Sequence, residues 1–239
     1  METLKGRIAL VTGAERNMGF ETSRGLAQRG MTVYLTSCNP EEGPAAAETL
    51  RKEGGDVRYL YLDVTDEESM RAALAVVEKA HGRLDVLVNN AGIGLAPHDG
   101  LSVEPDAIRQ TLEVNLHGPM RLLQLAVPLL RRSGNARVVN VSSAASRYAY
   151  FAEDPRPNPY AYCLSKAGVN FATAMYAHLL EPDGIKVNAV LPGYVKSPIS
   201  SFKGTRTPAE GARVMIKYAT IDDDGPTGGL FDENGPKTW

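Results

Sequence analysis

The chain lacks the material for a metal centre or a disulfide framework. It has two cysteines, Cys38 and Cys163, in 239 residues and no Cys/His cluster. Two free thiols in a reducing compartment are expected, with no metal site. The four histidines, His81, His98, His117 and His178, are scattered without ligand spacing. No apolar run approaches the ~20 residues of a membrane span; the longest candidate, residues 122–130, contains Gln124 and Pro128. The start, Met1-Glu2-Thr3-Leu4-Lys5, passes straight into an apolar strand and has no signal-peptide pattern. A cytoplasmic protein is the expectation. Excess charge is also missing: a net −2 gives no electrostatic reason to expect nucleic acid or an anionic membrane as partner. With no linker, repeat or low-complexity block in view, residues 1–239 read as a single domain.

Apolar, β-branched runs alternate with helical patterns. Strands are expected at 7–12, 32–36, 57–62, 84–88, 137–141 and 186–191, with a short seventh within 225–231. Helices are expected at 18–28, 41–53, from the capping-box spacing at Thr65-Asp66-Glu67-Glu68 to His81, at 105–131 with bends at Pro119 and Pro128, at 160–180 and at 207–218. Near-continuous apolar strands between helices predict a mostly or wholly parallel sheet of about seven strands, covered on both faces. Right-handed crossovers then make it an α/β, doubly wound, Rossmann-type domain. The stretch 147–159 carries Pro155, Pro157 and Pro159 and reads as a loop.

Tyr162 and Lys166 stand four residues apart in the helical stretch 160–180, which puts them on one face, one turn apart. A phenol beside an ammonium is a proton-donor device: the cation stabilises phenolate, and the expected effect is a lowered phenol pKa. Such a pair arises often by chance, and its weight comes from the rest of the chain. Thr12-Gly13-Ala14-Glu15-Arg16-Asn17-Met18-Gly19 follows the first strand and opens the first helix. There, backbone N–H groups and the helix dipole favour a pyrophosphate. Gly13 permits the turn, and Gly19 permits close helix–strand packing. The second strand ends in Ser37-Cys38-Asn39, without the carboxylate that would hold a ribose 2′-hydroxyl and repel a 2′-phosphate. Arg16 lies within reach as a guanidinium for that phosphate. NADP(H) is therefore favoured over NAD(H). Asp63-Val64 ends the third strand, where Asp63 suits an adenine amino group or, alternatively, a helix cap. Asn89-Asn90-Ala91-Gly92 ends the fourth, where small residues permit close approach of a ribose.

In this order and context the motifs resemble the short-chain dehydrogenase/reductase superfamily: residues 12–19, Asp63, Asn89-Asn90-Ala91-Gly92, Asn115, Ser143, Tyr162 with Lys166, and Pro192-Gly193. The tail Gly225-Pro226-Thr227-Gly228-Gly229-Leu230-Phe231, ending at Trp239, is similar to the carbonyl-reductase-like group. The resemblance implies that Tyr162 is general acid in reduction and base in oxidation. Lys166 would hold the nicotinamide ribose and lower the Tyr162 pKa. Ser143, with Ser142 as the alternative, would bond the substrate oxygen. Asn115 would distort its helix and hold a water that links Lys166 to solvent. It also implies that Pro192, Gly193, Val195 and Ser197 lie along the nicotinamide, Ser197 replacing a common threonine.

Departures from the family pattern are Asn17 at the middle glycine of the loop, a long segment between Ser143 and Tyr162, and a short 198–206 in place of a helical lid. The expected activity is hydride transfer between NADP(H) and a small-molecule carbonyl or alcohol. The alternatives are a non-catalytic dinucleotide sensor and a reductase of a C=C bond conjugated to a carbonyl. For the last, enoyl-thioester relatives place Tyr and Lys further apart. Leu95, Tyr148, Phe151, Tyr194 and Phe202 are candidate pocket walls. A homo-oligomer through the stretches 105–131 and 160–180 is expected, with a monomer left open by the insertion.

Overall fold

The computed structural model describes residues 4–95, 101–148 and 159–239. The first strand, β1 (Ile8–Val11), is buried at every residue. Ile8 and Leu10 enter one core while Ala9 and Val11 enter another. A strand with period two and no polar face needs cover on both sides. That cover comes from α1 (Asn17–Ala27), α2 (Glu42–Lys52) and α7 (Pro208–Ala219) on one face, and from α3 (Glu67–His81), α5 (Gly118–Ser133) and α6 (Tyr160–Leu180) on the other. Each fully buried Leu or Val contributes about 1.5–3 kcal/mol, so the sheet's two-sided burial is the main stabilising term.

The sheet also contains β2 (Thr32–Ser37), β3 (Val57–Tyr61), β4 (Val86–Asn89), β5 (Arg137–Val141), β6 (Lys186–Val190), β7 (Leu230–Asp232) and β8 (Gly235–Lys237). Their order is β3-β2-β1-β4-β5-β6-β7-β8. Every pairing is parallel except β7–β8. The mostly parallel sheet is as expected, and among the described residues it holds eight strands, one beyond the about seven anticipated. The added β8 is a three-residue edge strand with Pro236 at its centre, too short and too polar to show a strand pattern in sequence. The switch point falls between β1 and β4, where the crossovers leave in opposite directions. In such sheets ligands bind there, at the strands' C-terminal ends.

Two helix expectations are corrected. The stretch 105–131 is broken between α4 (Pro105–Leu112) and α5 by a π-helical turn at Glu113–His117. Pro119 sits in the first turn of α5, where its missing N–H costs nothing. The break is at Asn115, which the site explains. At α3 the cap is Asp66, whose side chain accepts from Glu68 N, and not Thr65. Thr65 instead donates both its N–H and its O–H to Asp63 Oδ1, at 2.8 and 2.7 Å. Among the described residues no helix is long and apolar enough to cross a membrane, and no group of His, Cys, Asp and Glu could hold a metal ion. Most of the proline-rich stretch 147–159 lies outside the described residues, as do Phe151 and His98.

Candidate active site

The ends of β4 and β5 meet α6 at Lys166, one turn after Tyr162. Lys166 is 4% exposed, and its Nζ donates to the Val141 carbonyl at 2.8 Å. Among the described residues no carboxylate is paired with it, and burial lowers its pKa to about 8. Nζ also stands 5.7 Å from the centre of the Tyr162 ring. It lies 3.5 Å from where a Cβ on Gly92 would be. The absence of a side chain at Gly92 therefore keeps space open beside the ammonium.

Tyr162 departs from expectation in one respect. Burial pushes its phenol up to about 12, while a hydrogen bond with Ser143 pulls the other way. The expected lowering by Lys166 is outweighed, because desolvation of the buried phenol dominates. The two serines are separated by their partners. Ser142 is 2% exposed and donates to Asn170 Oδ1 at 2.6 Å. Ser143 faces the phenol and, through its side chain, accepts from Ala145 N at 3.2 Å.

Asn115 accounts for the π-helical turn. Its Oδ1 accepts from Ile93 N at 2.8 Å, and its Nδ2 donates to Ile93 O at 2.8 Å and to Ser165 Oγ at 3.0 Å. A side chain 1% exposed that clamps the strand-end backbone in both directions is worth a locally widened helix. Behind it, Asn89 donates to Asn140, and Asn140 to Thr173, at 2.8 and 2.9 Å. Asn89 Oδ1 is left buried without a partner, beside a small void shared with Asn115 and Lys166. A polar atom so placed calls for a water or a ligand group.

The glycine loop forms a cradle. A Cβ at Gly13 would stand 2.9 Å from Ala91 Cα, and one at Gly19 would stand 2.5 Å from the Gly13 carbonyl. Neither gap tolerates a side chain. Asn17 adopts φ 51°, the left-handed region that its family position requires, and one that Asn tolerates. Met18 packs against Gly211 of α7. Asn90, which sequence reasoning did not single out, ties the loop down: its Nδ2 donates to the Thr12 and Gly13 carbonyls, each at 2.8 Å. Its only sequence signal was its place in the strand-end Asn-Asn-Ala-Gly.

Ser37 is buried at the end of β2 and Cys38 is exposed. Asp63 and Val64 follow β3. Arg16 is 60% exposed at its side chain and lies between Glu15 and Glu42, at 3.7 and 3.5 Å. At the other end, Gly193 has φ 82° and packs under the Arg206 side chain. Arg206 is itself anchored on Glu233 and on the Glu210 carbonyl. Val195 pairs with Arg206, and Ser197 begins a single 3₁₀ turn at Pro198–Ser200. Tyr194 and Phe202 are exposed near it. Gly13, Ser37, Cys38, Asp63, Asn89 and Ser143 follow or close the C-terminal ends of their strands, and Asn115, Tyr162 and Lys166 come from the helices. A Cβ-free cradle, a buried unpaired oxygen and a cation beside Gly92 fit a dinucleotide.

Comparison with known proteins agrees. The family described as short chain dehydrogenase matches residues 7–207. The chain is 31% identical to mouse carbonyl reductase (NADPH) 3 over 98% of both sequences. It is 30% identical to (−)-isopiperitenone reductase of Mentha piperita, over 94% of this chain and 96% of that one. A gluconate 5-dehydrogenase from Burkholderia cenocepacia, solved with NADP and tartrate, superposes with a TM-score of 0.84 at 28% identity, over 96% of this chain and 94% of that one. An α/β sheet with its switch point at a glycine cradle, and a matching sequence over most of its length, make this chain a member of the short-chain dehydrogenase/reductase family, within its carbonyl-reductase-like group.

Proposed function

We propose that the protein is an NADP(H)-dependent carbonyl reductase or alcohol dehydrogenase acting on a small molecule. The observation that carries this reading is Tyr162, hydrogen-bonded to Ser143 and one turn from a buried ammonium that lies beside Gly92. A bound nicotinamide supplies the hydride in reduction and accepts it in oxidation. Tyr162 donates its phenolic proton to the substrate oxygen in reduction and removes it in oxidation. A phenol held protonated across the physiological range suits the acid role. Ser143 donates to the same oxygen as charge develops there. Lys166, the cation of the site 5.7 Å from the Tyr162 ring centre, would hold the ribose hydroxyls of a bound dinucleotide. Asn115 keeps the strand-end backbone and Ser165 in place around it.

Gly13, Asn17, Met18 and Gly19 would cradle the pyrophosphate. Asp63 and Val64 would meet the adenine, and Asn89, Ala91 and Gly92 the ribose. Pro192, Gly193, Val195 and Ser197 would line the nicotinamide. Two features support NADP(H): β2 ends without a carboxylate, and relatives carry NADPH or NADP in their names. The test is oxidation of NADPH, followed at the nicotinamide absorbance band, against aliphatic, aromatic and quinone carbonyls and a conjugated enone. Turnover of saturated ketones is expected. No turnover with any of them, despite dinucleotide binding, would leave only a sensor.

Asn17 supplies a smaller prediction. Asn17→Gly removes a side chain from the phosphate cradle at a position whose φ glycine adopts freely. Calorimetric titration is expected to show NADPH bound about threefold more tightly, with Tm changed by less than about 2 °C.

A further inference from the structure

Arg16 is not a free cation. Glu15 Oε1 lies 3.7 Å from its Nε, and Glu42 Oε2 lies 3.5 Å from its Nη1. All three line one groove of about 530 Å3 between α1 and α2. Glu15 is the more unusual of the two acids. Its side chain is 14% exposed, and its Oε2 is buried with no hydrogen-bond partner. Backbone geometry places it beside the end of β2, because the preceding Ala14 donates its N–H to the Thr36 carbonyl at 2.9 Å. The partly covered Cys38 thiol is pushed up by desolvation, then by Asp63 and by Glu15, and pulled down by a backbone hydrogen bond and by Arg16. The exit of β2 therefore faces two carboxylates in Glu15 and Asp63 and a third, Glu42, through Arg16. A phosphomonoester there would bring up to two further negative charges among these acids and would have to draw Arg16 off them. An O–H donor would satisfy the orphaned Glu15 oxygen with no such conflict.

Building on the dinucleotide reading above, we propose that Glu15 accepts the 2′-hydroxyl of the adenosine ribose while Glu42 holds Arg16, so that these two acids narrow the preference for NADP(H) and admit NAD(H) as a working cofactor. The acidic reader absent from the end of β2 is supplied from the glycine loop. Cofactor choice is then set by Glu15 and Glu42, neither of which touches the reacting atoms.

Calorimetric titration of the full chain with NADH and with NADPH, at one fixed ionic strength, tests this. For the unaltered protein the two Kd values are expected within about tenfold, one decade being ~1.4 kcal/mol. Glu42→Gln is expected to tighten NADPH about fivefold and leave NADH within twofold, because the freed Arg16 meets the phosphate. Glu15→Gln is expected to weaken NADH and tighten NADPH, each about threefold or more, since its amide can donate to phosphate oxygens. Glu42 is exposed in the first turn of α2, so its variant folds whatever becomes of Glu15→Gln. A Kd ratio that moves less than twofold in Glu42→Gln overturns the proposal and leaves the enzyme reading standing. Failure of both dinucleotides to bind the folded, unaltered protein overturns both.

Discussion

Replacing Tyr162 with Phe is expected to lower kcat/KM for ketone reduction by about 10²–10⁴-fold, the range for losing a positioned general acid. The ring fills the same space, and Lys166 keeps its bond to Val141, so the site should stay folded. Only the hydroxyl and its hydrogen bond with Ser143 are lost. NADPH affinity should therefore stay within about threefold, because the interaction removed serves the reacting oxygen and not the dinucleotide. Steady-state kinetics paired with a binding titration separates the two effects. Residual turnover above a few per cent would remove Tyr162 from the proton-donor role. A parallel collapse of NADPH affinity would recast it as a cofactor contact.

The second large effect concerns Lys166, where activity and stability should move in opposite directions. Among the described residues its ammonium has no counter-ion, and burial lowers its pKa from 10.5 to about 8. Below pH 8 both folded and unfolded chains carry the proton, and the folded state bears the full desolvation cost, on the order of 3 kcal/mol. Between pH 8 and 10.5 the folded chain sheds the proton while the unfolded chain keeps it. The unfolded state then binds more protons, and stability rises with pH. Lys166→Met removes that cost and leaves the Val141 carbonyl without its donor, a loss of about 1 kcal/mol. At pH 7 the variant is expected to melt about 5 °C higher, near 2 kcal/mol of net gain. The difference should shrink as pH passes from 8 to 10.5. Over the same change, turnover should fall about 10³-fold and NADPH binding should weaken. In the unaltered enzyme, reductive kcat/KM should hold level below pH 8 and decline above it as the ammonium is lost. A variant less stable than its parent at pH 7 would show that the ammonium is a structural asset and not a functional strain.

That trade-off also marks where reading residues in order stops. Period-two burial in β1 and the regular return of helices are local properties, and they carried the α/β class and the parallel sheet. The glycine cradle, the Asn-Asn-Ala-Gly turn and the Tyr162/Lys166 spacing survive in sequence because each is contiguous or spans one helical turn. Asn17 was legible too: its φ of 51° is what a residue at that loop position must adopt.

Other features needed contacts between distant parts of the chain. Whether Ser142 or Ser143 meets the phenol was settled by Asn170, 28 residues away, which engages Ser142. The family resemblance implied a distortion at Asn115, but its cause, a bond to Ile93 22 residues earlier, no local propensity announces. Arg16 read as a free cation until α2 brought Glu42 beside it. The phenol's expected acidity reversed because desolvation depends on everything packed around a group, and a sequence lists neighbours along the chain only. Motif and periodicity, being local, determined the fold class and the cast of residues. Charge state, pairing and choice of partner are set by three-dimensional proximity and burial, and only the tertiary structure decided them.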